Sequence, residues 1–153
     1  MRNPNDRTRG TYLRENWEPI QDQVTTFSEY INVIPEIQMI HTSGHSNGHS
    51  IILLKQGKDT MIHMGDLMLS HVHRNPLWVP AVDDYPMKSI LAKKKWLRQA
   101  FENHYKFFFY HDQFFAVVEF DKDGKEFVDY VLRSRPPLIP FTDEQDRKPD
   151  FLG

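Results

Sequence analysis

The sequence predicts an α/β (α+β) domain, a mixed sheet with flanking helices, on three observations. Short apolar runs rich in β-branched and aromatic residues alternate with turn-forming segments from Ile31 to Leu54 and again from Lys106 to Leu132. A long amphipathic stretch, Pro86 to about Tyr105, stands between them. The length, 153 residues and 18.2 kDa, suits one domain that buries roughly two-thirds of its surface.

The elements follow in order. Arg2 to Gly10 is dense in charges and turn formers and reads as loop or frayed terminus, with a short helical or irregular stretch over Tyr12 to Trp17. Ile37, Met39 and Ile40 form a strand that ends at His41; a Ser, Gly and Asn loop spans Thr42 to Gly48; Ser50 to Lys55 returns as a second strand. Gln56 to Asp59 turns a hairpin into Thr60 to Met64, which stops at Gly65 and Asp66. Residues 67 to 86, with three prolines, two histidines and Trp78, read as a long irregular excursion. On the helix, Met87, Ile90, Leu91, Leu97, Ala100, Phe101 and Tyr105 fall within one broad face, and the stems of Lys94 and Arg98 cover apolar surface beside them. A strand through Lys106 to Tyr110 ends at His111, followed by strands near Phe114 to Phe120 and Phe127 to Leu132 across a hairpin turn at Asp121 to Lys125. From Ser134 a Pro-rich extension runs to the end, so the chain divides into a domain over 1–133 and an extension over 134–153.

Composition excludes several functions. Nineteen basic and 21 acidic residues give a net charge of −2, so no global positive field exists to hold nucleic acid. No apolar run is long enough to cross a bilayer, and the first ten residues lack the apolar segment of a secretory signal, which makes the cytoplasm the expected location. With no cysteine, thiolate nucleophiles and Cys-type metal sites are out, and any metal must sit on His, Asp or Glu.

Three polar residues close apolar strands: His45 just past the first, Asp66 after the hairpin and His111 after Lys106 to Tyr110. Strand ends in layered folds converge on one rim, and two imidazoles with a carboxylate suit Zn²⁺, or less selectively Mn²⁺, Fe²⁺ or Co²⁺. The competing reading is that each residue bonds only its own loop. The run His41-Thr-Ser-Gly-His45-Ser-Asn-Gly-His49 sets three histidines four residues apart among small residues, where its glycines exclude a helix.

This run resembles the HTPGHTPGH motif of the metallo-β-lactamase superfamily, and Gly65-Asp66 and Tyr110-His111-Asp112 follow in that family's order. The resemblance covers about residues 10 to 132; the N-terminal segment, the stretch after Asp66 and the helix look like the branch of N-acyl-homoserine lactonase-like (quorum-quenching) and methyl parathion hydrolase-like enzymes. It implies the C-terminal half of a four-layer αββα sandwich and a metal-dependent hydrolase acting on a small-molecule lactone, ester or phosphotriester. It further implies that His45 ligates one zinc, Asp66 bridges two and is the catalytic centre, and His111 ligates the second. His49 would support the loop, and His71, His73 and Trp78 would line the substrate side. His41, His63 and His104 read as structural.

The family's other metal-binding element, HxHxDH, has no counterpart here. His71-Val72-His73 is followed by Asn75 and Pro76 where the element needs an aspartate and a histidine, and Asp121 to Glu126 echoes a calcium loop without its frame, as a hairpin turn does. The expectation is therefore weak, single-metal binding and little hydrolysis by the chain alone, with Met1 an internal methionine of a longer enzyme. The runs Ser50 to Leu54 and Lys106 to Tyr110 are expected to expose apolar surface, favouring self-association or a missing N-terminal half. The alternative functions are a non-catalytic binding or self-associating module, and a metal-sequestering loop that would need His41 and His49 as much as His45.

Overall fold

The fold comes from a computed structural model that describes residues 6–11 and 13–134. The Pro-rich extension, beyond Ser134, lies outside the described residues. Asp6–Thr11 forms a short helix, α1, where the turn-rich composition predicts loop; α2 (Arg14–Trp17) and a 3₁₀ turn over Glu18–Gln23 follow. Single turns of this kind close on local backbone bonds and need no apolar face, so hydrophobic periodicity does not announce them. An Arg14 to Glu18 ion pair at 2.7 Å bridges α2 and that turn.

Seven strands form one sheet in chain order: β1 (Tyr30–Ile34), β2 (Ile37–His41), β3 (Ser50–Gln56), β4 (Asp59–His63), β5 (Lys106–Phe108), β6 (Phe115–Phe120) and β7 (Phe127–Leu132). Every neighbouring pair is antiparallel except β4 and β5. A parallel pair needs a long crossover, and here it contains the irregular excursion and α3 (Pro86–Glu102). The register aligns Leu53, Ile62, Phe107 and Val118 across four strands on one face. These residues, with Ile51 and Phe120, form one buried cluster with Trp96, Leu97 and Ala100 of α3. Phe101, Phe107 and Phe120 meet there at ring separations of 5.5–5.7 Å.

The helix stands where its periodicity predicts, but it is turned. Its buried stripe is Ser89, Lys93, Trp96, Leu97 and Ala100, while Met87 and Leu91 are 68% and 65% exposed. Hydropathy misphases it because two buried positions are polar. Ser89 packs where a side chain on Gly44 would come within 2.6 Å of its Oγ, which demands glycine there. Lys93 Nζ donates to the backbone carbonyls of Asn75 and Trp78, at 2.9 and 2.5 Å. Burial lowers the Lys93 amine to about 8.

Two further expectations need correction. The strand predicted to reach His111 stops at Phe108, because Asp112 Oδ1 accepts the Phe114 and Phe115 N–H groups and draws residues 109–114 into a turn. Nor are the two apolar runs exposed as wholes: Ile51, Leu53, Phe107 and Phe109 are buried, and the alternate residues Ile52, Leu54 and Phe108 are half-buried on the opposite face. On that face the register sets Ile37 beside Leu54, Leu54 beside Met61, Met39 beside Ile52, and Phe108 beside Val117, none of them fully covered. The Asp121 segment is a turn, its carboxylate accepting the Lys125 and Glu126 N–H groups. No described helix is long and apolar enough to cross a membrane.

Candidate functional site

The loop between β2 and β3 presents His45. It closes on itself through Thr42 and Ser43 N–H bonds to the His49 carbonyl, at 2.9 and 3.1 Å. The segment before α3 anchors it by Asp84 N–H to His45 O and Tyr85 N–H to Gly44 O. The buried carboxylate of Asp83 lies 2.9 Å from His45 Nδ1. With Nδ1 as the donor, Nε2 is the free electron pair, and it faces Asp66 Oδ2 at 3.2 Å. Asp83 Oδ2 is buried and has no hydrogen-bond partner among the described residues.

Asp66 stands in a 3₁₀ turn, Gly65–Leu67, just after β4. Gly65, at φ +54°, lets this turn press on His49, since a Cβ there would lie 2.6 Å from His49 Nε2. The Asp66 N–H donates to that nitrogen at 3.2 Å, and Thr42 Oγ1 is 2.8 Å from His49 Nδ1. Burial, reinforced by the nearby His45 ring, pushes His49 down to about 4, so it is a neutral strut.

His111 Nε2 faces the other oxygen, Asp66 Oδ1, at 3.4 Å. Tyr110 donates its hydroxyl to the same oxygen at 2.8 Å, and burial together with that bond raises the phenol to about 12. The Tyr110 ring is stacked on His63, 5.2 Å apart. The structure thus brings His45, Asp66 and His111 together, with one imidazole against each carboxylate oxygen. A nitrogen lone pair against a carboxylate oxygen requires a proton or a cation between them. The donor chemistry fits a borderline divalent ion such as zinc, and His45 has the carboxylate support that metal-ligating histidines carry. Each oxygen of Asp66 has one imidazole, short of the four ligands zinc usually takes, and among the described residues no three His, Asp or Glu side chains enclose a common point.

The other histidines divide. His71 and His73 line the same cavity as His45, Asp66 and His111, about 640 Å³ in volume. Trp78 does not: it lines a separate cleft with Lys94, Arg98 and Phe101. His41 is bonded to the Asn47 carbonyl, His63 accepts the Gly65 N–H, and His104 pairs with Glu119. Sequence reading gave no role to Asp83, Tyr110 or Asp112. Asp112 and Tyr110 flank His111, and adjacency was the available signal; Asp83 lies 38 residues from His45, and no spacing rule finds it.

No protein-family profile matches the chain, and no curated protein does. Among solved structures it is similar to a probable metal-dependent hydrolase from Staphylococcus aureus, at 38% identity and TM-score 0.82 over 87% of this chain and 48% of that one. AidC, a dizinc quorum-quenching lactonase in complex with a product, matches at 17% identity and TM-score 0.61 over 78% of this chain and 41% of its own. The hydrolase AbOPH of the beta-lactamase superfamily matches at 21% and 0.59 over 80% and 43%. The chain spans about half the length of the first of these and less of the others.

Proposed function

We propose that this chain, a metallo-β-lactamase-fold unit similar to one half of the metal-dependent hydrolases it resembles, is the part of such an enzyme that contributes His45, Asp66 and His111 to a metal centre. The observation that carries the reading is the approach of the two imidazoles to the two oxygens of one carboxylate, at 3.2 and 3.4 Å. When bound, divalent zinc would supply a Lewis acid and a water acidic enough to ionise near neutrality. Asp66 would be the carboxylate shared at that centre, His45, with its Nδ1 turned to Asp83, would offer Nε2 as a ligand, and His111 would offer its own Nε2. His71 and His73 border the space left for substrate, and the substrate class is a small ester, lactone or phosphotriester.

The half-covered sheet face, with Ile37, Met39, Ile52 and Leu54, supports a companion half of the same architecture packed against it. That half would carry the remaining ligands, which fits the incomplete donor count. Residues 1–133 then act as one partial domain, and 134–153 as an extension to it.

The test is hydrolysis by the zinc-loaded chain of a γ-lactone, p-nitrophenyl acetate and a p-nitrophenyl phosphotriester. Weak zinc-dependent turnover of at least one substrate, abolished by Asp66→Ala, is expected. Turnover indifferent to that substitution, or none at any zinc concentration, would contradict the reading.

A further inference from the structure

The cavity holds a second carboxylate–imidazole pair that the metal reading leaves without a task. Asp112 Oδ2 lies 2.6 Å from His71 Nδ1 and also accepts the His71 N–H at 2.8 Å, while Oδ1 accepts the Phe114 and Phe115 N–H groups. A carboxylate fixed by four contacts is an acceptor only, so Nδ1 of His71 must be the donor. The ring is walled edge-on by Phe115 and Phe127, at 4.8 and 5.9 Å. Its remaining nitrogen, Nε2, has no hydrogen-bond partner among the described residues, and the residue lines the cavity that His45, Asp66 and His111 share.

A buried histidine with one nitrogen fixed and the other open to a reaction cavity is built to exchange a proton there. We propose that His71 is the proton shuttle of the hydrolysis and that Asp112 is its positioning residue; this rests on the hydrolase reading above. As the water oxygen bonds to the acyl carbon, one water proton passes to His71 Nε2, and the Asp112 carboxylate faces the resulting imidazolium. When the carbon–oxygen bond to the leaving group breaks, the same proton passes from Nε2 to the departing alkoxide. The products are the acid and the alcohol, and His71 returns to its starting form.

A shuttle matters in proportion to how poor the leaving group is. An aliphatic alkoxide needs the proton as it departs, whereas p-nitrophenolate leaves without one. The zinc-loaded protein and its His71→Gln and Asp112→Asn variants are therefore compared on a γ-lactone and on p-nitrophenyl acetate. His71→Gln is expected to lower lactone turnover by about 10²- to 10⁴-fold, through loss of both proton transfers, and p-nitrophenyl acetate turnover by at least about tenfold less than that, because this substrate loses only the transfer from the attacking water. Equal losses on the two substrates, or none on the lactone, overturn the shuttle while leaving the hydrolase reading intact. Absence of zinc-dependent turnover of both substrates by the unsubstituted protein defeats the hydrolase reading and the shuttle with it.

A second readout needs neither metal nor turnover. Imidazole ¹⁵N spectra of the metal-free chain at pH 8 should show His71 protonated at Nδ1 and bare at Nε2, with that preference lost in Asp112→Asn. A proton on Nε2 in the unsubstituted protein overturns the proposal. Because Asp112 also caps the turn before β6, thermal melts of Asp112→Asn identify a folding defect, and His71→Gln, which keeps that carboxylate, then carries the test.

Discussion

The two imidazoles that meet at Asp66 are held very differently. His45 is gripped from behind by a buried carboxylate, sits in a loop bonded to the segment before α3, and leaves 18% of its side chain exposed. His111 is 49% exposed, follows a three-residue strand, and has the Tyr110 ring, 3.9 Å away, as its aromatic neighbour. Orientation of a ligand before the metal arrives removes an entropy cost from binding, and so does the fixed tautomer. In the proposed centre the His45 side would therefore be the preorganised arm and the His111 side the adaptable one. The same inequality marks the sheet, whose face toward α3 is densely packed while the other is half covered.

Removing what both arms share has the largest effect. Asp66→Ala is expected to weaken zinc binding by more than about 100-fold in a competition titration, since both imidazoles lose their common partner. The arms are then separated by their supports. Asp83→Asn should cost about 10- to 100-fold in zinc affinity, whereas Tyr110→Phe, which removes a hydroxyl that competes for Asp66 Oδ1, should leave affinity unchanged or raise it by a few fold. Similar losses in the two variants would erase the distinction between the arms.

His49 sharpens the comparison through pH. Its folded value of about 4 lies below the ordinary 6.5, so between those values the unfolded chain binds the extra proton. Its contribution to stability is full above pH 6.5 and is lost as the pH falls toward 4. Urea midpoints of the metal-free chain should fall over that window, and the fall should shrink in His49→Gln. The smallest effect is expected at Trp78, which faces the other cleft: Trp78→Ala should leave zinc affinity within about twofold.

Much of this was legible in the sequence, and the exceptions have physical causes. The strands, the hairpins at Gly57 and Gly124 and the crossover helix follow from alternation, turn residues and helical period. The position of Asp66 just after β4 was visible because an apolar run terminates there, whereas His45 lies within the β2–β3 loop and His111 in the turn beyond β5. What stayed hidden were polar groups that work at a distance. Asp83 looks like one more acidic loop residue until folding sets it against His45. Lys93 looks like a surface cation, yet its amine holds two carbonyls of the excursion, and that turned α3 away from the face its hydropathy favours. Trp78, grouped with the substrate side by resemblance, sits across the excursion in a different cleft.

The proposal that His45, Asp66 and His111 of this chain each contribute to one metal centre is tested most directly by zinc titration of the untagged chain followed by isothermal calorimetry. The expected result is one weak site per chain that disappears in each of His45→Ala, Asp66→Ala and His111→Ala and persists in His41→Ala. A site lost equally in His41→Ala, or zinc binding that survives Asp66→Ala, would contradict it.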